Sequence, residues 1–168
     1  MRLSRTFRFL ALLLVLSCTA GCDQATKHLA RSGLAQPGST TFCGHSIELT
    51  LAENPGAFLS LGASLPPAAR SAILTAGVSF ALACLLAYLV SAPGLSSASF
   101  WGLALSWAGG ASNLFDRFTR HGLVTDFMVF RLGPLHTGVF NLADLAIVAG
   151  MVIVAASLLV HSRKRWTL

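Results

Sequence analysis

Residues 71–115 of this 168-residue chain contain no Asp, Glu, Lys or Arg. A helix that crosses a bilayer needs about 20 predominantly apolar residues, so this stretch holds two crossings and a turn. Ser91-Ala92-Pro93-Gly94 supplies the turn, because Pro and Gly together break a helix and reverse the chain cheaply. Spans are therefore predicted at about 69–91 and 96–113, and a third at about 140–160 with Asp144 near its start. The N-terminal apolar run, residues 9–22, is shorter, a length that fits a signal-peptide apolar region as well as a span. Arg5 and Arg8 snorkelling to the interface would lengthen it into a fourth span at about 7–22.

With 54% hydrophobic and 11% charged residues, water is not this chain's only solvent. Arg2, Arg5 and Arg8 precede the first span, and Arg163, Lys164 and Arg165 follow the last. The other six cations equal the six acids in number, so these two clusters account for the net charge of +6. An excess of Lys and Arg marks cytoplasmic flanks, which places both termini in the cytoplasm and requires an even number of spans. The basic character thus reads as membrane topology, and no nucleic-acid partner is expected. All six acids fall in the outer segments, about 23–67 and 114–139, or at the outer end of a span. Whatever chemistry the chain performs belongs to that face, within one membrane-embedded domain covering residues 1–168.

Cys18 and Cys84 lie in apolar runs, which leaves Cys22 and Cys43 as the one pair able to meet outside. His28, His45, His121, His136 and His161 are scattered without paired helical spacing, so a metal site is not expected. The first outer segment carries Gly, Pro, Ser and Thr around short pieces such as Ser46-Ile47-Glu48-Leu49-Thr50-Leu51, a pattern that predicts a small strand-containing element. Its apolar stretch, residues 56–62, suits an interfacial position. Asn54-Pro55-Gly56-Ala57-Phe58, by itself, is a turn.

Asn141-Leu142-Ala143-Asp144 opens the last span. An acid there is expensive unless paired or used, although the same four residues also spell a helix-capping box. Val124-Thr125-Asp126-Phe127 places a second carboxylate in apolar company shortly before that helix end. Two carboxylates sharing a low-dielectric site resist double ionisation and share a proton, which suits an aspartic peptidase: one carboxylate activates water, the other polarises the scissile carbonyl. Alternatively, Asp126 is a solvated loop acid. Ser112-Asn113-Leu114-Phe115-Asp116-Arg117 ends the third span, with Arg117 either an interfacial anchor or a donor to substrate carbonyls or lipid esters, and Asp116 its structural partner. Asp23-Gln24-Ala25-Thr26-Lys27 puts an acid and a base one turn apart, a spacing usually found as a weak surface ion pair.

These five pieces, in this order, resemble the lipoprotein signal peptidase family, also called signal peptidase II, over essentially the whole chain. The resemblance implies a mainly α integral membrane fold: four transmembrane helices with a small periplasmic β-cradle and an adjoining outer helix. It implies an aspartyl endopeptidase that needs no cofactor and cleaves diacylglyceryl-modified prolipoproteins on the amino side of the lipidated cysteine. By that resemblance Asp126 and Asp144 are the catalytic pair, while Asp23, Lys27, Asn54, Asn113, Arg117 and Asn141 support the site or contact substrate. It further implies a monomer in contact with membrane lipid in the bacterial inner membrane, its site near the periplasmic face, inhibited by cyclic peptide antibiotics of the globomycin type. Trp101 and Trp107 have no assigned role and are read as packing or interface residues. One departure is visible, since the family usually has Gly where Ser112 stands, and the added hydroxymethyl group is expected to narrow the site or shift Asn113.

Two other readings use the same residues. Thr19-Ala20-Gly21-Cys22 looks like the cleavage box of a bacterial lipoprotein, which would make the chain a substrate anchored at Cys22. Intramembrane carboxylates also suit a small proton-coupled transporter subunit.

Overall fold

The structure is a computed structural model that describes residues 4–34, 40–42, 46–57, 61–92 and 94–166. Cys43, and with it the Cys22–Cys43 pairing, lies outside the described residues, as does the centre of the apolar stretch at 56–62.

Among the described residues, three helical stretches are long and apolar enough to cross a membrane: Arg5–Gly33, Pro67–Ser91 and Leu142–Val160. The first, α1 (Arg5–Gly33), starts at Ser4, whose Oγ accepts the Phe7 N–H at 3.2 Å, and closes where the Leu34 N–H reaches the Ala30 carbonyl at 2.8 Å. It runs well beyond the expected end at 22, because the polar residues that follow favour helix and place Asp23 one turn from Lys27. The second stretch comprises α2 (Pro67–Ser71), a π-helical turn (Ala72–Gly77) and α3 (Val78–Ser91). The third belongs to α5 (Leu142–Trp166). Between them in sequence, α4 (Ser97–Thr119) touches α1, α3 and α5 and continues past the expected boundary at 113 to bring Asp116 and Arg117 onto helix.

Small residues let α4 and α5 approach closely, as helices without a hydrophobic drive between them require. A Cβ built on Gly150 would lie 2.3 Å from the Gly102 carbonyl oxygen, and one on Gly109 would lie 2.5 Å from that of Ala143. The second contact lays α4 across the first turn of α5. At the inner end Ala11, Leu12, Leu89, Phe100 and Ala104 form the apolar core. Buried Arg8 closes α3 there by donating to the Leu89 and Ala92 carbonyls at 3.1 and 2.7 Å.

Among the described residues, the segments between α1 and α2 and between α4 and α5 supply four strands, β1 (Thr40–Phe42), β2 (Ile47–Asn54), β3 (Val124–Leu132) and β4 (Leu135–His136), in one antiparallel order β1-β2-β3-β4. The expected strand around 46–51 is β2, and β3 is an element the sequence analysis did not place. β2 pairs Ile47 with Phe130 and Asn54 with Val124, with a register shift between Leu49 and Ala52. Arg131 pairs with Glu48 and Arg120 with Glu53 across this face. The chain reaches β3 from α4 through a turn in which Gly122 takes φ +88°, and the Gly122 N–H bonds the Arg117 carbonyl at 2.8 Å.

Candidate active site

Asp126 and Asp144 belong to different elements, and one residue brings them together. Phe140 lies beside β3 as an isolated bridge to Met128: its carbonyl accepts the Phe127 and Met128 N–H groups at 3.0 and 2.9 Å, and its N–H returns to Met128 at 2.9 Å. Asn141 therefore falls next to Asp126, and α5 begins at once. The Asp144 N–H donates to Asn141 Oδ1 at 2.9 Å and the Asn141 N–H to Asp144 Oδ2 at 3.3 Å, so the capping box is real. It orients a carboxylate that then has other partners.

Two amides join the acids. Asn141 Nδ2 donates to Asp126 Oδ1 at 2.6 Å and to Asn113 Oδ1 at 3.1 Å, and Asn113 Nδ2 donates to Asp144 Oδ1 at 2.8 Å. The far oxygen of Asp126 accepts Asn54 Nδ2 at 2.8 Å. Each carboxylate thus holds two N–H donors, one on each oxygen, which fixes both groups in place. Asp126 is 1% exposed, on β3 and not in a solvated loop. Burial pushes its carboxyl up to about 6; Asn54 opposes that rise, Asp144 adds to it, and Asn141 and Lys27 oppose it.

The amide orientations follow from what stands behind them. Lys27, fully buried, offers only donors, and its Nζ reaches Asp23 Oδ2 at 2.7 Å, Asp116 Oδ2 at 2.9 Å and Asn113 Oδ1 at 2.9 Å. The Asn113 carbonyl must face Lys27, so its NH₂ must face Asp144. Asp23 and Lys27 are therefore no surface pair. Asp23 Oδ1 also accepts the Ala143 N–H at 2.9 Å, satisfying a free donor in the first turn of α5. Asp116 is expected to pair with Arg117, but its partner is Lys27: it further accepts Gln24 Nε2 at 2.8 Å and the Thr125 N–H at 3.2 Å, which pins the start of β3. Arg117 instead donates through Nη2 to the Gly56 carbonyl at 2.7 Å and more weakly through Nη1 to that of Asn113 at 3.4 Å. The Gly56 N–H returns to Asn54 Oδ1 at 2.8 Å, so the 54–57 turn is fastened beside Asp126.

Ser112 faces Asp23 and Gln24. Its hydroxyl donates to Asp23 Oδ2 at 2.7 Å and accepts Gln24 Nε2 at 3.1 Å. Sequence reasoning missed Gln24 and Thr125 as members of this network. Thr125 stood inside the Val-x-Asp-Phe motif, whereas nothing in the sequence marked Gln24 beyond its place beside Asp23. Trp107 donates its indole N–H to the Leu82 carbonyl at 3.1 Å, and Trp101 packs edge-on against Phe100, both away from the aspartates.

Residues 14–160 match the family model described as signal peptidase (SPase) II. The lipoprotein signal peptidase of Desulforapulum autotrophicum is 39% identical over 143 residues, covering 84% of this chain and 87% of that protein. That of Pelotomaculum thermopropionicum is 35% identical over 153 residues, with 91% and 94% covered. A bacterial membrane enzyme solved by the in meso method superposes with a TM-score of 0.77 at 20% identity, over 90% of this chain and 89% of that one, a likeness of fold.

Proposed function

The chain belongs to the signal peptidase II family, and on that premise we propose that it removes the signal peptide from prolipoproteins, with Asp126 and Asp144 as its catalytic pair. The observation that carries this reading is the amide-bridged carboxylate pair, each oxygen of which already holds one N–H donor. With one proton between them, the ionised carboxylate takes a proton from water as that water attacks the scissile carbonyl carbon. The protonated one donates to the carbonyl oxygen. Collapse of the tetrahedral intermediate breaks the C–N bond: the proton taken from water passes to the departing nitrogen, and one hydroxyl of the intermediate returns its proton to the other carboxylate. The substrate is a diacylglyceryl-modified prolipoprotein cut on the amino side of its lipidated cysteine. Asn113 and Asn141 hold the pair, Asn54 and Arg117 secure the 54–57 turn, and Asp23 and Lys27 support them from behind.

In this proposal α4 is a fourth crossing of a monomer in the bacterial inner membrane. Both termini are cytoplasmic, and the aspartates lie near the periplasmic face, open to globomycin-type cyclic peptides. The polar outer turns of α4 are accepted because their partners are buried protein groups and not lipid. The anchored-lipoprotein reading has no comparable support, since Cys22 sits inside unbroken α1.

The test is turnover of a purified lipidated prolipoprotein at equal amounts of folded enzyme. Asp126→Asn and Asp144→Asn should each reduce cleavage by at least about a thousandfold, and the double variant should lose little more, because groups acting as a unit are non-additive. Near-normal turnover by either single variant would remove the assignment.

A further inference from the structure

Arg117 also lines a cavity of about 350 Å³ that opens between α2, the π-helical turn and the end of α4. Its lining includes Arg70, Ser71, Thr75, Arg117, Phe118 and His121. Two guanidiniums, an imidazole and two hydroxyls thus face one space, and no carboxylate lines it among the described residues. Among the described residues the Arg70 side chain makes one hydrogen bond, Nη1 to the Ala63 carbonyl at 3.2 Å, and neither it nor Arg117 makes an ion pair. Arg117 is 8% exposed, and its Nε–H is buried without an acceptor. A buried charged donor left unpaired is unfavourable unless something supplies the acceptor.

Phe118 also lines a second, apolar groove of about 320 Å³ between α3 and α4, along Leu82, Leu86, Trp107 and Leu114. Arg70 and Arg117 flank the ion-free stretch 71–115 at its two ends, which sets both at the level where the chain enters the membrane from one side. A cationic recess at that level, sharing the Phe118 side chain with an apolar groove, has the polarity of one amphiphile.

We propose that this cavity and groove bind one anionic phospholipid, its phosphate against Arg70, Arg117 and His121 and one acyl chain along Leu82, Trp107 and Phe118. Phosphate offers several acceptor oxygens, and guanidinium is its best-matched donor. A neutral diacylglyceryl group would leave Arg70 without an anionic partner, and a free phosphate ion would leave the groove empty. The site borders the candidate active site through Arg117 but does not depend on the catalytic reading.

Delipidated full-length protein in detergent is titrated with dioleoyl phosphatidylglycerol, with dioleoylglycerol and with inorganic phosphate, and binding is read by unfolding temperature and native mass spectrometry. Phosphatidylglycerol should give a saturable rise and one retained lipid. Dioleoylglycerol should bind weaker by on the order of tenfold, lacking the charge-assisted contacts, and inorganic phosphate weaker still. Arg70→Gln combined with His121→Gln should weaken phosphatidylglycerol on the order of tenfold. Exposed Ala83, which lines the groove, allows an independent block from the chain side, and Ala83→Trp should weaken the lipid without the charges being touched. The unliganded unfolding temperature reports whether each variant folds, and the variant that folds decides. Asp126→Asn should bind phosphatidylglycerol as the parent does, which separates this site from the aspartate pair. Equal binding of dioleoylglycerol, inorganic phosphate binding as tightly as the lipid, no saturable rise with phosphatidylglycerol, or parent-like binding by a folded variant would each overturn the proposal.

Discussion

At the inner end of the bundle the helices meet through Leu12, Leu89, Phe100 and Ala104, with Arg8 capping α3 and the hydroxyls of Ser96, Ser99 and Ser157 within 2.9 to 3.1 Å of one another. At the outer end the same helices meet through Asp23, Lys27, Asn113, Asp116 and Asp144, all buried. Apolar packing is roughly proportional to area and indifferent to direction, so the inner end tolerates small rearrangements. A buried ionic network is directional, and removing one member strands the others. One helix bundle thus has an adaptable end and an end whose geometry is prescribed atom by atom.

The strongest way to break this contrast is Lys27→Met, which leaves Asp23 and Asp116 buried without their cation. It should destabilise the fold by about 3–5 kcal/mol, measured by reversible unfolding in mixed micelles. A loss under about 1 kcal/mol would mean that the network relaxes as readily as the inner core.

Next in size is the response to pH. Burial raises Asp126 from 3.8 to about 6. Between those values the folded chain holds a proton at Asp126 that the unfolded chain releases. Stability should therefore fall as pH climbs through that window, by up to about 3 kcal/mol, and level off above it. The part of the slope due to Asp126 should vanish in Asp126→Asn, and an unchanged slope would assign it elsewhere.

Gly109→Ala should cost about 1–3 kcal/mol, because its Cβ would press on the Ala143 carbonyl at the start of α5. Activity should fall further than the loss of folded protein explains, since Asn113 and Asp144 are positioned by that contact. Gly150→Ala, at the Gly102 crossing nearer the inner end, should cost similar stability but leave the turnover of the folded fraction intact.

The smallest effects sharpen the comparison at two hydroxyls. Ser112→Gly should lose about 1–2 kcal/mol and some turnover, because Asp23 gives up a short hydrogen bond in the network behind the aspartates. Ser99→Ala should cost less and leave turnover unchanged. A faster Ser112→Gly enzyme would restore the expectation that the hydroxyl only crowds Asn113.

The ion-free stretch and the flanking cations made the long apolar helices legible, because membrane crossing depends on length and polarity that can be counted along the chain. The aspartates and their asparagines were legible as motifs. Their meeting was not, since it depends on Phe140 bridging to Met128 and on β3, whose Val124-Thr125-Asp126-Phe127-Met128-Val129-Phe130 is β-branched and aromatic but lacks clean alternation. Nor was the depth of Asp23 and Lys27, because their spacing on α1 is the same for a surface pair. Only contact with Ser112, Asn113 and Asp116 on another helix distinguishes the two. Arg117 and Asp116, adjacent in sequence, diverge because successive helical residues point to different sides.

The unbroken course of α1 bears on the box Thr19-Ala20-Gly21-Cys22 that it contains. A peptide bond entering a peptidase must be presented on an extended strand, and here each amide around Cys22 is tied into the helix, with Thr26 Oγ1 also donating to the Cys22 carbonyl at 2.9 Å. The next residue, Asp23, is held by Lys27, Ser112 and the Ala143 N–H, so unwinding the box would tear out the support of the aspartates themselves. The chain thereby carries a look-alike of its proposed target in the middle of its own sequence and is immune to it: an enzyme molecule intact enough to cut is one whose decoy cannot be read.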